Sequence, residues 1–423
     1  MAASFQLADL CDSQRAYGYT NPPVPWSELP GGDHQLLPPR THVAGSTLLL
    51  LATFTNALLA GFLLALPVVL RPLLMERPGV NNRYAQLLPA AVRILLVPLM
   101  LATALLIDKW VVSTVLVAGA LMAALALVTV ERGGALSSFA SFAGTAAMLA
   151  GAAAALFNAS IVLMPQAFFP GNAARSINLG FVAIAAGAMT APLLTPLLVR
   201  RLEMNKTLLV LACACLIPAA LVACTPAEQL VLKPVTAERG DLMHDPRIVL
   251  LFLATALAFP LEAFLAPWVR RFVCEHAHLP GSSMVLSGGF WLAFLGSRLA
   301  AALILPDAGT AWLVLVLTML AAITLGNLIG AYAPGSAGLA LVITGACCGP
   351  LVPTLLGLVV QSNPGEIGPV VGWANAAGAL SIVLLVPWVD ASRPGRSTRA
   401  AMRGAMALAV LLMAPALVLA LIG

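Results

Sequence analysis

Charged side chains are scarce in this chain: Asp, Glu, Lys and Arg supply 9% of its 423 residues, where a soluble domain carries roughly one quarter. With 61% hydrophobic residues and a mean hydropathy of +0.97, water is excluded as the main solvent. Histidine is nearly missing as well. Its five copies all fall outside the apolar runs, which argues against an intramembrane lipid-modifying enzyme, whose acid, base or metal ligands must gather at one interface. Residues 1–40 hold no long apolar run, so a secretory signal is not expected there. The first apolar block is expected to be a true membrane helix. No metal cluster is expected, because Cys274-Glu-His276-Ala-His278 has no second ligand group within reach of it in sequence and reads as a solvated loop. Cysteines 213, 215, 224, 347 and 348 sit inside apolar blocks and read as small core hydrophobes without a disulfide framework. The net charge of +5 lacks the aromatic-interleaved basic clusters of a nucleic-acid surface, so it reads as charge flanking a bilayer.

What the chain has in abundance is apolar blocks. A hydrocarbon core of about 30 Å takes about 20 residues per helix, and twelve blocks of that kind occur, near 45–70, 86–106, 111–130, 138–163, 176–199, 207–224, 248–270, 283–305, 311–332, 336–360, 368–389 and 402–422. The polar stretch between the sixth and seventh divides them six and six. The organisation implied is a polar tail (1–44), a six-helix bundle (45–224), a central linker (225–247) and a second six-helix bundle (248–423). Internal duplication is supported at one place. Ala185 to Pro196 reads AAGAMTAPLLTP and Ala376 to Pro387 reads AAGALSIVLLVP, identical at seven of twelve positions, and each is the fifth block of its half.

Several local features resemble the major facilitator superfamily. Ala104-Leu-Leu-Ile-Asp108-Lys-Trp110 is similar to the short loop that follows the second helix, without its Gly and its trailing basic residues. Gly187-Ala-Met-Thr-Ala-Pro192 resembles the family's Gly-x-x-x-Gly-Pro element, and Gly345-Ala-Cys-Cys-Gly-Pro350 matches its letters in another helix. Phe259-Pro-Leu-Glu262 through Trp268, Ser287-Gly-Gly-Phe-Trp291 and Gly296-Ser-Arg298 resemble the seventh and eighth helices of the fucose-permease-like sugar branch. The resemblance implies an all-α integral membrane protein of twelve transmembrane helices in two pseudo-symmetric six-helix bundles. It also implies a symporter or uniporter without cofactor, rocking about a midplane site lined by spans one, four, seven and ten. The acids that the branch's proton symporters carry in the first and fourth helices have no counterpart, since those spans hold Asn56 and Asn158. A coupling proton is therefore not implied by the usual route.

The candidate substrate or coupling residues are those that are costly to bury. Glu262 and Arg93 lie well inside spans seven and two, at depths that put both in the same outer half, and are expected to be able to meet as an ion pair or to handle solute or proton. Asn56, Asn158 and Asn375 offer amides to a hydroxylated or zwitterionic solute, or join helices. Trp291 offers a ring to stack on. Arg298 is expected to snorkel at the inner end of span eight, and Trp268 to mark the interface. The partners expected are a small-molecule solute and the lipid bilayer, a coupling proton being a further candidate, with no nucleic acid. Both termini are expected in the cytoplasm of a multi-pass plasma- or inner-membrane protein. The Lys/Arg count, eight on the terminal side and thirteen opposite, pulls the other way. The alternative to transport is a receptor or scaffold on a transporter fold.

Overall fold

The computed structural model describes residues 47–132, 136–169, 171–225, 245–276, 282–306, 309–330, 334–363, 367–385 and 397–422. The polar tail, most of the central linker, and the side chains of Asp108, Lys109, Cys274 and Glu275 lie outside the described set. Residues Ala44–Gly423 form one unit of packed helices.

Spans one to four are Thr47–Met75, Asn82–Lys109, Val112–Glu131 and Phe139–Ala167. Spans seven to nine are Pro246–His276, Ser282–Ile304 and Thr310–Gly330, and spans eleven and twelve are Ile367–Leu385 and Thr398–Ile422. Each falls on an expected block. Three spans are built differently from the expectation. Blocks five and six have no loop between them: a single apolar stretch runs from Ala173 to Ala223 over 51 residues. At 1.5 Å per residue that is about 75 Å, more than twice a bilayer core. It is divided at Glu203, whose φ of 67° and ψ of 163° leave the helical region; a side-chain-bearing residue seldom adopts such a φ. Span five therefore precedes Glu203 and span six follows it, and twelve crossings result from eleven apolar stretches. Span ten is broken in the middle, as Pro334–Cys348 and Leu351–Ser362. Pro353 has no N–H to give to the carbonyl four residues earlier, and that carbonyl belongs to Gly349.

The helix neighbours repeat when six is added to each span number. Span one packs on four, five and six, two on four, and three on four and six; span seven likewise packs on ten, eleven and twelve, eight on ten, and nine on ten and twelve. The duplicated sequence motif has the same task in both copies. A Cβ on Gly187 of span five would lie 1.8 Å from the Leu58 carbonyl oxygen of span one, and one on Gly378 of span eleven 2.6 Å from the Phe259 ring of span seven. Between the halves, span two packs on eleven, and span five on eight and ten.

Candidate functional site

Odd-numbered spans begin, and even-numbered spans end, at the face from which span one starts. The cross-half hydrogen bonds described gather toward that face. Asn375 Nδ2 of span eleven donates to Asn158 Oδ1 of span four at 2.8 Å, and Asn158 Nδ2 in turn donates to the Met100 carbonyl and to Thr103 Oγ1 of span two, each at 2.8 Å. Asn178 Nδ2 of span five donates to Thr354 Oγ1 of span ten at 3.0 Å. Arg175 gives its Nε to the Ala302 carbonyl at 3.0 Å and an Nη to that of Leu303 at 2.7 Å, while Asn172 reaches the Leu305 carbonyl at 3.4 Å. The last carbonyls of a helix have no internal partner and carry its negative dipole end. The start of span five thus caps the end of span eight with a cation. Small residues let the backbones close here: a Cβ on Gly357 would lie 2.3 Å from Ala174 Cα, and one on Gly372 2.4 Å from Ala104 Cβ.

Burial along the same stripes falls away toward the opposite face. At 100° per residue, positions separated by four, seven and eleven stay within about 40° of one another on a helix. On span two the stripe that meets span eleven is buried at Ala104 and Met100, half-buried at Val97 and exposed at Arg93. On span eight Ala302 and Arg298 are buried and Trp291 is half-buried. On span five Ala174, Asn178 and Phe181 are buried, Ala185 and Ala188 half-buried and Pro192 exposed. On span eleven Gly372 and Ala376 give way to the half-buried Ala379 and Val383.

Between these ends lies an ion pair. Arg298 Nη2 donates to Glu262 Oε1 at 2.6 Å, with the arginine side chain 2% exposed and the glutamate 28%. Arg298 Nε donates to the Gly349 carbonyl at 2.7 Å, the acceptor that Pro353 leaves without an in-helix partner. Its Nη1 lies 3.5 Å from the Phe181 carbonyl, and the guanidinium stands 4.2 Å from the Phe294 ring and 5.2 Å from that of Phe181. One arginine of span eight therefore links spans seven, ten and five. Glu262 Oε2 is buried and has no hydrogen-bond partner among the described residues.

Arg298 overturns two expectations. Glu262 takes it, and not Arg93, as its partner, because sequence depth fixes position along a helix axis but not rotation about it. Arg298 is also no snorkelling residue at a boundary, since the broken span ten offers it a carbonyl inside the protein. Trp268, expected at the interface, is fully buried beside Phe264 with the Arg271 guanidinium 5.3 Å from its ring. Of the remaining candidates, Asn56 is buried and donates to the Leu156 carbonyl at 2.9 Å and Ser160 Oγ at 2.8 Å, joining spans one and four. Trp291 stacks edge-on to Phe290 and Phe294, with centroids 5.1 and 5.5 Å away. The structure brings together Asn158 and Asn375, and leaves Arg93 apart from Glu262. Sequence reasoning gave Arg298 a boundary role and missed Arg175 and Thr354; the signal for Arg298 was the carbonyl that Pro353 frees.

The profile of the Major Facilitator Superfamily matches residues 21–386. The chain belongs to the major facilitator superfamily. No curated protein sequence matches it significantly. Among solved structures, it is similar to the E. coli fucose:proton symporter FucP, with 14% identity and a TM-score of 0.68 over 88% of this chain and 97% of that one. It is also similar to the proton:xylose symporter XylE, at 12% identity and a TM-score of 0.69 over 87% and 94%. The human organic anion transporter MFSD10 has 17% identity and a TM-score of 0.59 over 90% and 100%. At these identities the likeness is one of fold. A major facilitator superfamily member with twelve apolar crossings is a multi-pass integral membrane protein of a family typified by solute transport.

Proposed function

We propose that this chain carries a small organic solute across its membrane by alternating access, without enzymatic chemistry, and that both termini face the cytoplasm. Residues 45–224 and 248–423 act as the two moving bundles, joined by 225–247. The observation that carries this reading is the gradient along spans two, five, eight and eleven: cross-half bonds gather at the terminal face, and the same helical stripes gain exposure away from it. Such an arrangement is what one end state of a rocking pair requires, closed at one face and accessible from the other. Glu262 and Arg298 sit between the two ends, where a change of solute or proton occupancy acts on three spans at once. The residues proposed to meet solute or coupling ion are Glu262, Arg93 and Trp291, with Asn56, Asn158 and Asn375 arranging the helices around them.

The test uses full-length protein in proteoliposomes. Asn172→Cys combined with Leu305→Cys, bridged by a short bismaleimide, should arrest counterflow of a labelled solute selected from a mixed small-molecule extract, whereas either single variant treated alike should not be arrested. Unchanged counterflow in the bridged protein would overturn the rocking mechanism, and absence of counterflow for every fraction in unbridged protein would favour a receptor or scaffold.

A further inference from the structure

We infer that the solute is an organic monoanion with an apolar or ring-bearing body, and that Arg93 is the residue that binds its charged group. The inference rests on the transport reading above and sharpens it.

Charge along the four cross-half stripes is unbalanced. Among the described side chains, the charged residues on these stripes are Arg93 and Arg298; Arg298 is already matched by Glu262, and Arg175 beside them is taken up by the carbonyls that end span eight. Arg93 makes no ion pair or hydrogen bond among the described residues, yet it stands in a span of high hydropathy, where a lone guanidinium is costly unless it meets water, a partner or a ligand. Its direction is set by the helix. From Arg93 to Ala104 is eleven residues, which is about 16 Å along the axis and about 20° of rotation. Arg93 therefore shares the stripe that packs against span eleven, and it points between the halves at the level where that stripe has become exposed.

Span eight places a ring in the same half of the membrane. Trp291 lies eleven residues before Ala302, whose carbonyl belongs to the closed end, so it is again about 16 Å from the seal on a stripe that faces the other half. The ring is half-buried, with one edge held by Phe290 and Phe294. The N-terminal half thus presents a cation with no partner among the described residues, and the C-terminal half a partly open aromatic surface, about 24 and about 20 Å from the terminal-face ends of spans two and eight. A guanidinium binds a carboxylate through two parallel N–H groups, and an indole face takes the apolar remainder. A neutral solute would leave Arg93 uncompensated, and a cation would be repelled by it.

The experiment measures equilibrium binding of 2-naphthoate, 2-naphthamide and 2-naphthylmethylammonium to the purified full chain in nanodiscs, alongside proteoliposome counterflow of each. Naphthoate should bind about tenfold or more tighter than the amide, equivalent to about 1.4 kcal/mol; Arg93→Gln should abolish that preference, and Arg93→Lys should keep most of it. Trp291→Leu should weaken naphthoate and naphthamide by a similar factor, leaving their ratio. No naphthoate binding, equal affinities in the unsubstituted protein, preference for the ammonium, or a preference that survives Arg93→Gln would each overturn the inference. Counterflow separates it from the transport reading. Anion-selective binding that depends on Arg93 with no counterflow would leave the anion site standing and refute transport, while counterflow of naphthamide indifferent to Arg93→Gln would do the reverse.

Discussion

The guanidinium of Arg298 and the carboxylate of Glu262 meet at 2.6 Å, and the arginine is the more deeply buried of the two. Removing the acid is therefore worse for the fold than its own exposure suggests, because the charge left behind is the one that cannot reach water. Stranding one member of a buried pair costs on the order of 3 kcal/mol. Glu262→Gln should lower the yield of monodisperse protein and its unfolding midpoint, and Glu262→Gln with Arg298→Met should recover part of the loss. Arg93→Gln, which breaks no described contact, should leave both unchanged. Fluorescence-detected size exclusion with thermal challenge measures all three.

Asn375 supplies the donor for Asn158 Oδ1 across the halves. In Asn375→Ala that buried oxygen loses its partner, at a cost of about 1–3 kcal/mol borne only by the state in which the terminal face is closed. The population should move toward the opposite state by about 5- to 150-fold. A cysteine placed at Asn172 should then react faster with maleimide than in the parent protein, and an equal rate would count against a gating role for the pair.

Gly187 and Gly378 occupy equivalent places in the duplicated motif but face different obstacles. A methyl group at Gly187 meets the backbone of span one, whereas at Gly378 it meets a phenylalanine ring that can turn. Gly187→Ala should therefore destabilise by about 2–3 kcal/mol and Gly378→Ala by about 1 kcal/mol or less. Thermal midpoints in one detergent measure the difference, and equal shifts would show that the ring is as fixed as the backbone.

Sidedness is read from labelling. With the termini in the cytoplasm, an impermeant maleimide applied to intact cells should spare Cys11 and reach Cys274. The reverse pattern would mean that the excess of cations between the spans, and not the family's usual topology, sets the orientation.

Position along the membrane normal was legible in the sequence, because hydropathy and a rise of 1.5 Å per residue give depth directly. The span limits and the shared role of Gly187 and Gly378 follow from that. Rotation about each helix axis was not legible. Whether Arg93 or Arg298 turns toward Glu262 depends on how spans two, seven and eight pack, and the hydrophobic pattern of a helix with lipid on one side and protein on the other gives only a weak azimuth. The break at Gly349 was half legible: its prolines mark a freed carbonyl, but the donor that takes it comes from a residue 51 positions away in sequence. Glu203 was hidden for another reason, since its flanking charges read as an ordinary loop between two helices.

The join at Glu203 also bears on how the protein is made. Spans five and six are separated by one non-helical residue, so during synthesis at a translocon no linker lets the first settle in lipid before the second emerges. They must enter as a single helical hairpin, with Arg200, Arg201, Glu203 and Lys206 at its tip. An inserted reporter or protease site at this tip should therefore disrupt biogenesis even where it touches nothing in the finished transporter.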